Sequence, residues 1–280
     1  MDKKVRDWLL EGPAWLKYAV ELQLLEGQPD VRPVLQDVAI SEIIARLKSA
    51  TAGIAALKSG KVHYTEAGKA YWDLFFLADI GLTVEDTGLR AEAGEIFRFQ
   101  TPEGAFQIPP NVQPHYFCMS SILMASLAKM GYRDDPRLDR YIHAVIGAQM
   151  YHGGWDCYAE LMGSMESCPM DDMNVLMLLG QYEKFRNSPQ LEGAQDLLLQ
   201  HWEDGVHLYG FGVGNRFRSL QYPAVKYGIL RVLDALSLFP YAVRRKPFRN
   251  MLDFVRHKAV EGQYFAEASS RPTRALISGR

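Results

Sequence analysis

The string CPMDDMN, residues 168 to 174, sets Asp171 beside Asp172 just ahead of an apolar stretch. Two adjacent carboxyls taken out of water cannot both ionise cheaply, so one keeps its proton and can act as a general acid. The same pair at the start of a helix can instead serve that helix's free amides and the positive end of its dipole. Asp171 and Asp172 are therefore the candidate catalytic residues, with a capping role as the structural alternative.

A second group offers metal ligands. Asp156 and Cys157 are neighbours in GGWDCY, and with His152 or His207 they supply oxygen, sulfur and nitrogen donors. No histidine motif of familiar ligand spacing follows, and an isolated cysteine ordinarily packs as a small apolar residue. No metal or other cofactor is expected, and Asp156, Cys157 and His207 are the candidates if one binds. In residues 209–222, YGFGVGNRFRSLQY, the glycines suggest a phosphate loop, but the lysine with Ser/Thr and the preceding strand are missing. Arg216 and Arg218 there suit a carboxylate or diphosphate met at a rim.

The elements that must position these residues are helices. Gln100 precedes Gly104 by four residues, as Gln149 precedes Gly153, His201 precedes Gly205 and Lys258 precedes Gly262; the glycines stand 49, 52 and 57 residues apart. Before each anchor runs an apolar helical stretch: LRAEAGEIFRFQ, LDRYIHAVIGAQ, LEGAQDLLLQHW and FRNMLDFVRHKA. Upstream of each lies a second helix with few polar positions: EAGKAYWDLFFLADIGL, YFCMSSILMASLAKMGY, MDDMNVLMLLGQYEKF and AVKYGILRVLDALSLF. Breakers rich in Gly, Pro, Asp and Asn separate the two helices of each unit. Towards the N-terminus, helices are expected in VRDWLLE, in AWLKYAVELQLLE and over one long stretch from Val34 to Leu57, giving about twelve helices and no strand.

A pair of about 50 residues cannot bury its own apolar helix, so pairs must stack on one another. The enclosed helices favour closure into an all-α, α/α toroid of about six helical hairpins, a single domain over residues 1–280. In such a ring the centre is lined by inner helices and the loops entering them. Trp72, Phe76, His115, Tyr116, Asp156, Cys168, Arg216 and Tyr222 are the candidate cavity residues, the aromatic rings offering an apolar wall or a surface for a carbocation.

The recurring Gln followed by Gly-Gly-Trp or Gly-Ala-Phe resembles the QW-type repeat of the squalene cyclase and protein prenyltransferase superfamily, in particular its short bacterial members. DKKVRDWLLEGPAW, HYTEAGKAYWDLFFLADIGL and DPRLDRYIHAVIGAQMYHGGWDCY carry the likeness, which spans nearly the whole chain. It implies that Gln149 and Trp155 tie an outer helix end to its neighbour. Cyclases of the superfamily carry DxDD before an inner helix; here Pro169-Met170-Asp171-Asp172 lacks the first acid and puts Asp171 in the donor's place. Protein prenyltransferases hold zinc with an Asp and a Cys one residue apart, whereas Asp156 and Cys157 are adjacent.

With 31 basic and 33 acidic side chains there is no general field for nucleic acid or an anionic membrane. The apolar windows end before the roughly 18 residues of a membrane span. Three cysteines without repeated spacing and a charged opening, MDKKVRDWLL, point to a cytoplasmic, reducing setting. The expected function is binding, cyclisation or isomerisation of an isoprenoid or another small hydrophobic molecule in the ring's centre. The alternatives are a non-catalytic ligand-binding or protein-interaction scaffold and a zinc-dependent transferase or hydrolase.

Overall fold

The computed structural model describes residues 3–59, 69–107, 115–159, 163, 166–205, 211–212, 214–221 and 227–267. The described residues are helical and contain no strand, only two isolated bridges, Gln100 with Phe106 and Val260 with Gln263. Helices of eight residues or more are α1 (Lys3–Leu10), α2 (Ala14–Gln23), α3 (Val38–Lys48), α4 (Ala70–Asp79), α5 (Arg90–Phe97) and α6 (Phe117–Leu127). They continue with α7 (Pro136–Gly147), α8 (Pro169–Leu179), α9 (Glu192–Asp204), α10 (Ile229–Ser237) and α11 (Lys246–Arg256). No helix among them is long and apolar enough to cross a membrane.

The helical stretch expected from Val34 to Leu57 is divided into separate pieces. Asp37 accepts from the amides of Ala39 and Ile40 and so starts α3, while Ser49 turns extended and ends it. A short 3-10 segment, Ile54–Ser59, follows. An aspartate whose carboxylate serves the amides two and three residues on competes with the preceding helical turn, which periodicity does not register.

The four enclosed helices α4, α6, α8 and α10 pack in chain order, each against the next. Every residue of α6 and of α8 is buried. Their apolar side chains contribute about 1.5–3 kcal/mol each on burial. The serines of α6 are tolerable because each hydroxyl is bonded: Ser120 to the Tyr116 carbonyl at 2.6 Å, Ser126 to that of Ile122 at 2.7 Å, and Ser121 with the Tyr141 hydroxyl at 2.8 Å. α10 departs from the expectation of all-round enclosure, since Asp234 and Ser237 are exposed.

Helices α5, α7 and α9 are joined in turn by the repeated glutamines. The side-chain nitrogen of Gln149 donates to Gly153 O at 2.6 Å and to Gln190 O at 3.0 Å, clasping its own turn and the entry to α9. Gln100 does the same with Gly104 O at 3.1 Å and Arg137 O, in the first turn of α7, at 2.7 Å. Gly104 has φ +98°, and a Cβ there would stand 2.5 Å from Arg140 O, so only glycine allows this approach. Beneath each turn sits an aromatic. Phe106 meets Tyr141 edge-on at 5.2 Å, and the Trp155 indole N–H donates to Val145 O at 2.8 Å.

The third and fourth anchors are built differently. Gly205 is the left-handed C-cap of α9, and the glycine pressed against the His201 backbone is Gly212. Lys258 turns to Glu267, and nothing crowds Gly262. Beyond α9 the junction is made by Gln195, which accepts from the Ala242 amide at 3.2 Å, and by the Tyr241 hydroxyl bonded to Asp196 at 2.7 Å.

Candidate functional site

Cys118 is the second residue of α6 and Asp171 the third of α8. The turn after α7 delivers Cys157 between them, and the two thiol sulfurs and an Asp171 carboxylate oxygen all lie within 4.8 Å of one another. The first turns of two neighbouring enclosed helices thus share one end of the packed core with this turn.

The acids fasten the turn to α8. Asp172 Oδ1 accepts from the Trp155 amide at 2.7 Å, and Asp171 Oδ2 accepts from the Cys157 amide at 2.7 Å. The Cys157 thiol donates to Asp171 Oδ1 at 3.0 Å, and the Cys168 amide donates back to Trp155 O at 2.7 Å. A Cβ on Gly154 would stand 2.9 Å from Asp172 Oδ1, so the second glycine of GGW lets the turn sit this close. The pair does not cap its own helix as the structural alternative supposed: Cys168 is the N-cap and makes no side-chain cap bond. The buried amides of the neighbouring turn reach the carboxylates instead.

Burial governs the protonation of the cluster. It lifts Asp171 to about 6, against hydrogen bonds from Cys157 that favour the charge. Asp172 is raised well above the usual carboxylate range by the same cause, partly offset by Ser167 and the Trp155 amide. Its second oxygen, Oδ2, is buried with no hydrogen-bond partner among the described residues. The Cys118 thiol is pushed up to about 12 and those of Cys157 and Cys168 well above normal, in each case chiefly by burial. At neutral pH such thiols are protonated, and a carboxyl that keeps its proton can donate it.

Comparison with protein-family models and with curated proteins finds no match. The likeness to the cyclase and prenyltransferase repeat therefore rests on this chain's own residues.

The sequence candidates divide. Asp171, Asp172 and Cys157 meet in the cluster; Cys168, half-buried, and Tyr116, buried, stand at the entries to α8 and α6. His115, half-buried, stacks on Phe117 at 5.0 Å. Of the proposed ligand set of Asp156, Cys157 and His207, Cys157 enters the cluster with Cys118 and Asp171. Asp156 Oδ1 accepts from the Tyr158 amide at 2.8 Å in a local turn, and His207 lies outside the described residues. His152 likewise accepts locally, from the Gly154 amide at 3.1 Å. Phe76 meets Trp15 of α2 edge-on at 5.4 Å, because successive helix positions point in different directions; its neighbour Phe75 meets Arg231. Trp72 is buried in the core. Arg216 is exposed, and Arg218 lies over the rings of Trp202 and Phe254 at 5.1 and 5.7 Å. Tyr222 lies outside the described residues.

Sequence reasoning missed two things. Cys118 gave no sign beyond being the second residue of an enclosed helix, the same level at which Asp171 begins the next. Arg231, 1% exposed, reaches from α10 to Asn174 of α8 and lies 4.7 Å over the Phe75 ring of α4. A buried arginine inside an apolar helical period reads as an outward-facing polar position.

Proposed function

We propose that this chain is an α/α toroid of the squalene cyclase and protein prenyltransferase kind. In this reading the inner-helix mouth takes a small apolar molecule, such as an isoprenoid, and Asp172 hands it a proton. The observation that carries the reading is Asp172 Oδ2, a wholly buried carboxyl oxygen without a hydrogen-bond partner among the described residues, on the first turns of an inner helix. Asp171 has both oxygens engaged by Cys157, so the role passes from the position that the motif indicates to its neighbour. Chain-order packing of the enclosed helices and the glutamine clasps support the ring. Three free thiols suit a reducing, cytoplasmic setting.

Linear isoprenoids offered to the purified protein should bind, read by tryptophan fluorescence, and be converted, read by gas chromatography and mass spectrometry. Asp172→Asn should still bind and should lose turnover. Wild-type protein that neither binds nor converts any of them would remove the reading.

Arg231 favours a second reading, a scaffold whose centre is filled by its own side chains. The guanidinium occupies the space between α4, α8 and α10 with Asn174, Met177 and Phe75 around it. Isoprenoid binding that is absent from wild type and appears in Arg231→Ala would favour the scaffold.

A further inference from the structure

We propose that Cys118, Cys157 and Asp171 form a binding site for one zinc ion. The site goes beyond the apolar-ligand reading and does not depend on it. Its donors come from the first turn of α6, the turn after α7 and the first turn of α8, and all three residues are buried. Tetrahedral zinc, with Zn–S of about 2.3 Å and Zn–O of about 2.1 Å, sets neighbouring ligand atoms about 3.6–3.8 Å apart. The donors already lie within 4.8 Å of one another, and Cys157 Sγ is 3.0 Å from Asp171 Oδ1, so side-chain rotation suffices to close them on an ion.

The carboxylate is prepared for this task. Its Oδ2 is fixed by the Cys157 amide at 2.7 Å, which aims Oδ1 at the two sulfurs, as supporting hydrogen bonds aim the ligands of established metal sites. The N-termini of α6 and α8 meet here, and their dipoles favour the anionic donors that the ion needs. In the metal-free protein the Cys157 proton lies toward Asp171 Oδ1. Zinc takes its place, and both thiol protons pass to solvent as two Zn–S bonds and one Zn–O bond form. Two thiolates select zinc over magnesium or calcium. Cys168 stands outside the set, leaving the fourth tetrahedral position to water, the arrangement of an open site that polarises a bound group.

The test is cobalt titration of the chelator-stripped full chain, followed by zinc. One equivalent of cobalt should give thiolate charge-transfer absorption of two-thiolate intensity, with tetrahedral bands in the visible, and zinc should erase both. Cys118→Ala and Cys157→Ala should each halve the charge-transfer intensity and weaken zinc at least about 100-fold, while Cys168→Ala changes neither. In wild type, zinc should slow alkylation of Cys118 and Cys157 but not of Cys168, a readout that needs no variant to fold. Folded wild-type protein without charge-transfer absorption, bands of undiminished intensity in both cysteine variants, or alkylation unaffected by zinc would each overturn the site. Isoprenoid binding is unaffected by these outcomes, so the two proposals fail separately.

Discussion

Replacing Gln149 tests the clasp that joins the end of α7 to the entry of α9. Its amide nitrogen spends both hydrogens, one on Gly153 O at 2.6 Å and one on Gln190 O at 3.0 Å. Each such bond contributes about 0.5–1.5 kcal/mol net, and the side chain is only half-buried, so Gln149→Ala should cost about 1–2 kcal/mol. Gln149→Glu keeps the shape and removes both donors, turning a carboxylate toward two carbonyl oxygens; at neutral pH it should cost more than alanine, about 2–3 kcal/mol. Below pH ~4 the glutamate regains one O–H donor, and its deficit should shrink toward that of alanine. Urea unfolding followed by circular dichroism at pH 7 and at pH 3.5–4 measures both effects; the expected fall in Tm is roughly 2 °C per kcal/mol for a chain of this length. Gln100→Ala should add to Gln149→Ala within about 0.5 kcal/mol, since each clasps a different junction. If both Gln149 variants stay within about 0.5 kcal/mol of wild type, or glutamate is milder than alanine at neutral pH, the clasp does not carry the load assigned to it.

Gly104→Ala combines a left-handed φ of +98° with a Cβ 2.5 Å from Arg140 O, and should cost at least about 2 kcal/mol by the same unfolding assay. Gly94→Ala, a helical position with nothing within 4 Å of the added Cβ, should be neutral or slightly stabilising. Asp172→Ala leaves the buried Trp155 amide without its acceptor and should cost about 2 kcal/mol or more, whereas Asp172→Asn retains an acceptor and should cost less; equal losses would contradict the fastening role. Burial lifts Asp171 from 3.8 to about 6, so the folded chain takes up this proton more readily than the unfolded one. The resulting stabilisation is complete below the unfolded value and is lost as pH rises through about 6. The gap corresponds to about 3 kcal/mol, and Asp171→Asn should flatten that much of the decline between about pH 4 and 7, with chelator present. An unchanged slope in that variant would refute the assignment.

The helices and their breaks were largely legible in the chain itself. Apolar residues recurring at helical spacing located α4 to α11, because a helix that must bury a face repeats it every three or four residues. The Gln and Gly anchors marked the first two clasps, where an NH2 group carries two hydrogens on one atom and glycine alone tolerates the backbone approach. His201 and Lys258 stand at the same spacing and make different contacts, since spacing does not specify what a side chain can donate. The break at Asp37 was hidden because it depends on which amides one carboxylate reaches.

What tertiary structure alone decided was company. Cys118, Cys157 and Asp171 belong to three segments, and they meet because two enclosed helices begin at the same level with a turn folded across them. The same packing gave Asp171 and Asp172 to the amides of a neighbouring turn, and drew Arg231 into the core. Sequence periodicity reports which face of a helix is buried; the partners that a buried polar atom finds depend on distances between segments, which one-dimensional order does not encode.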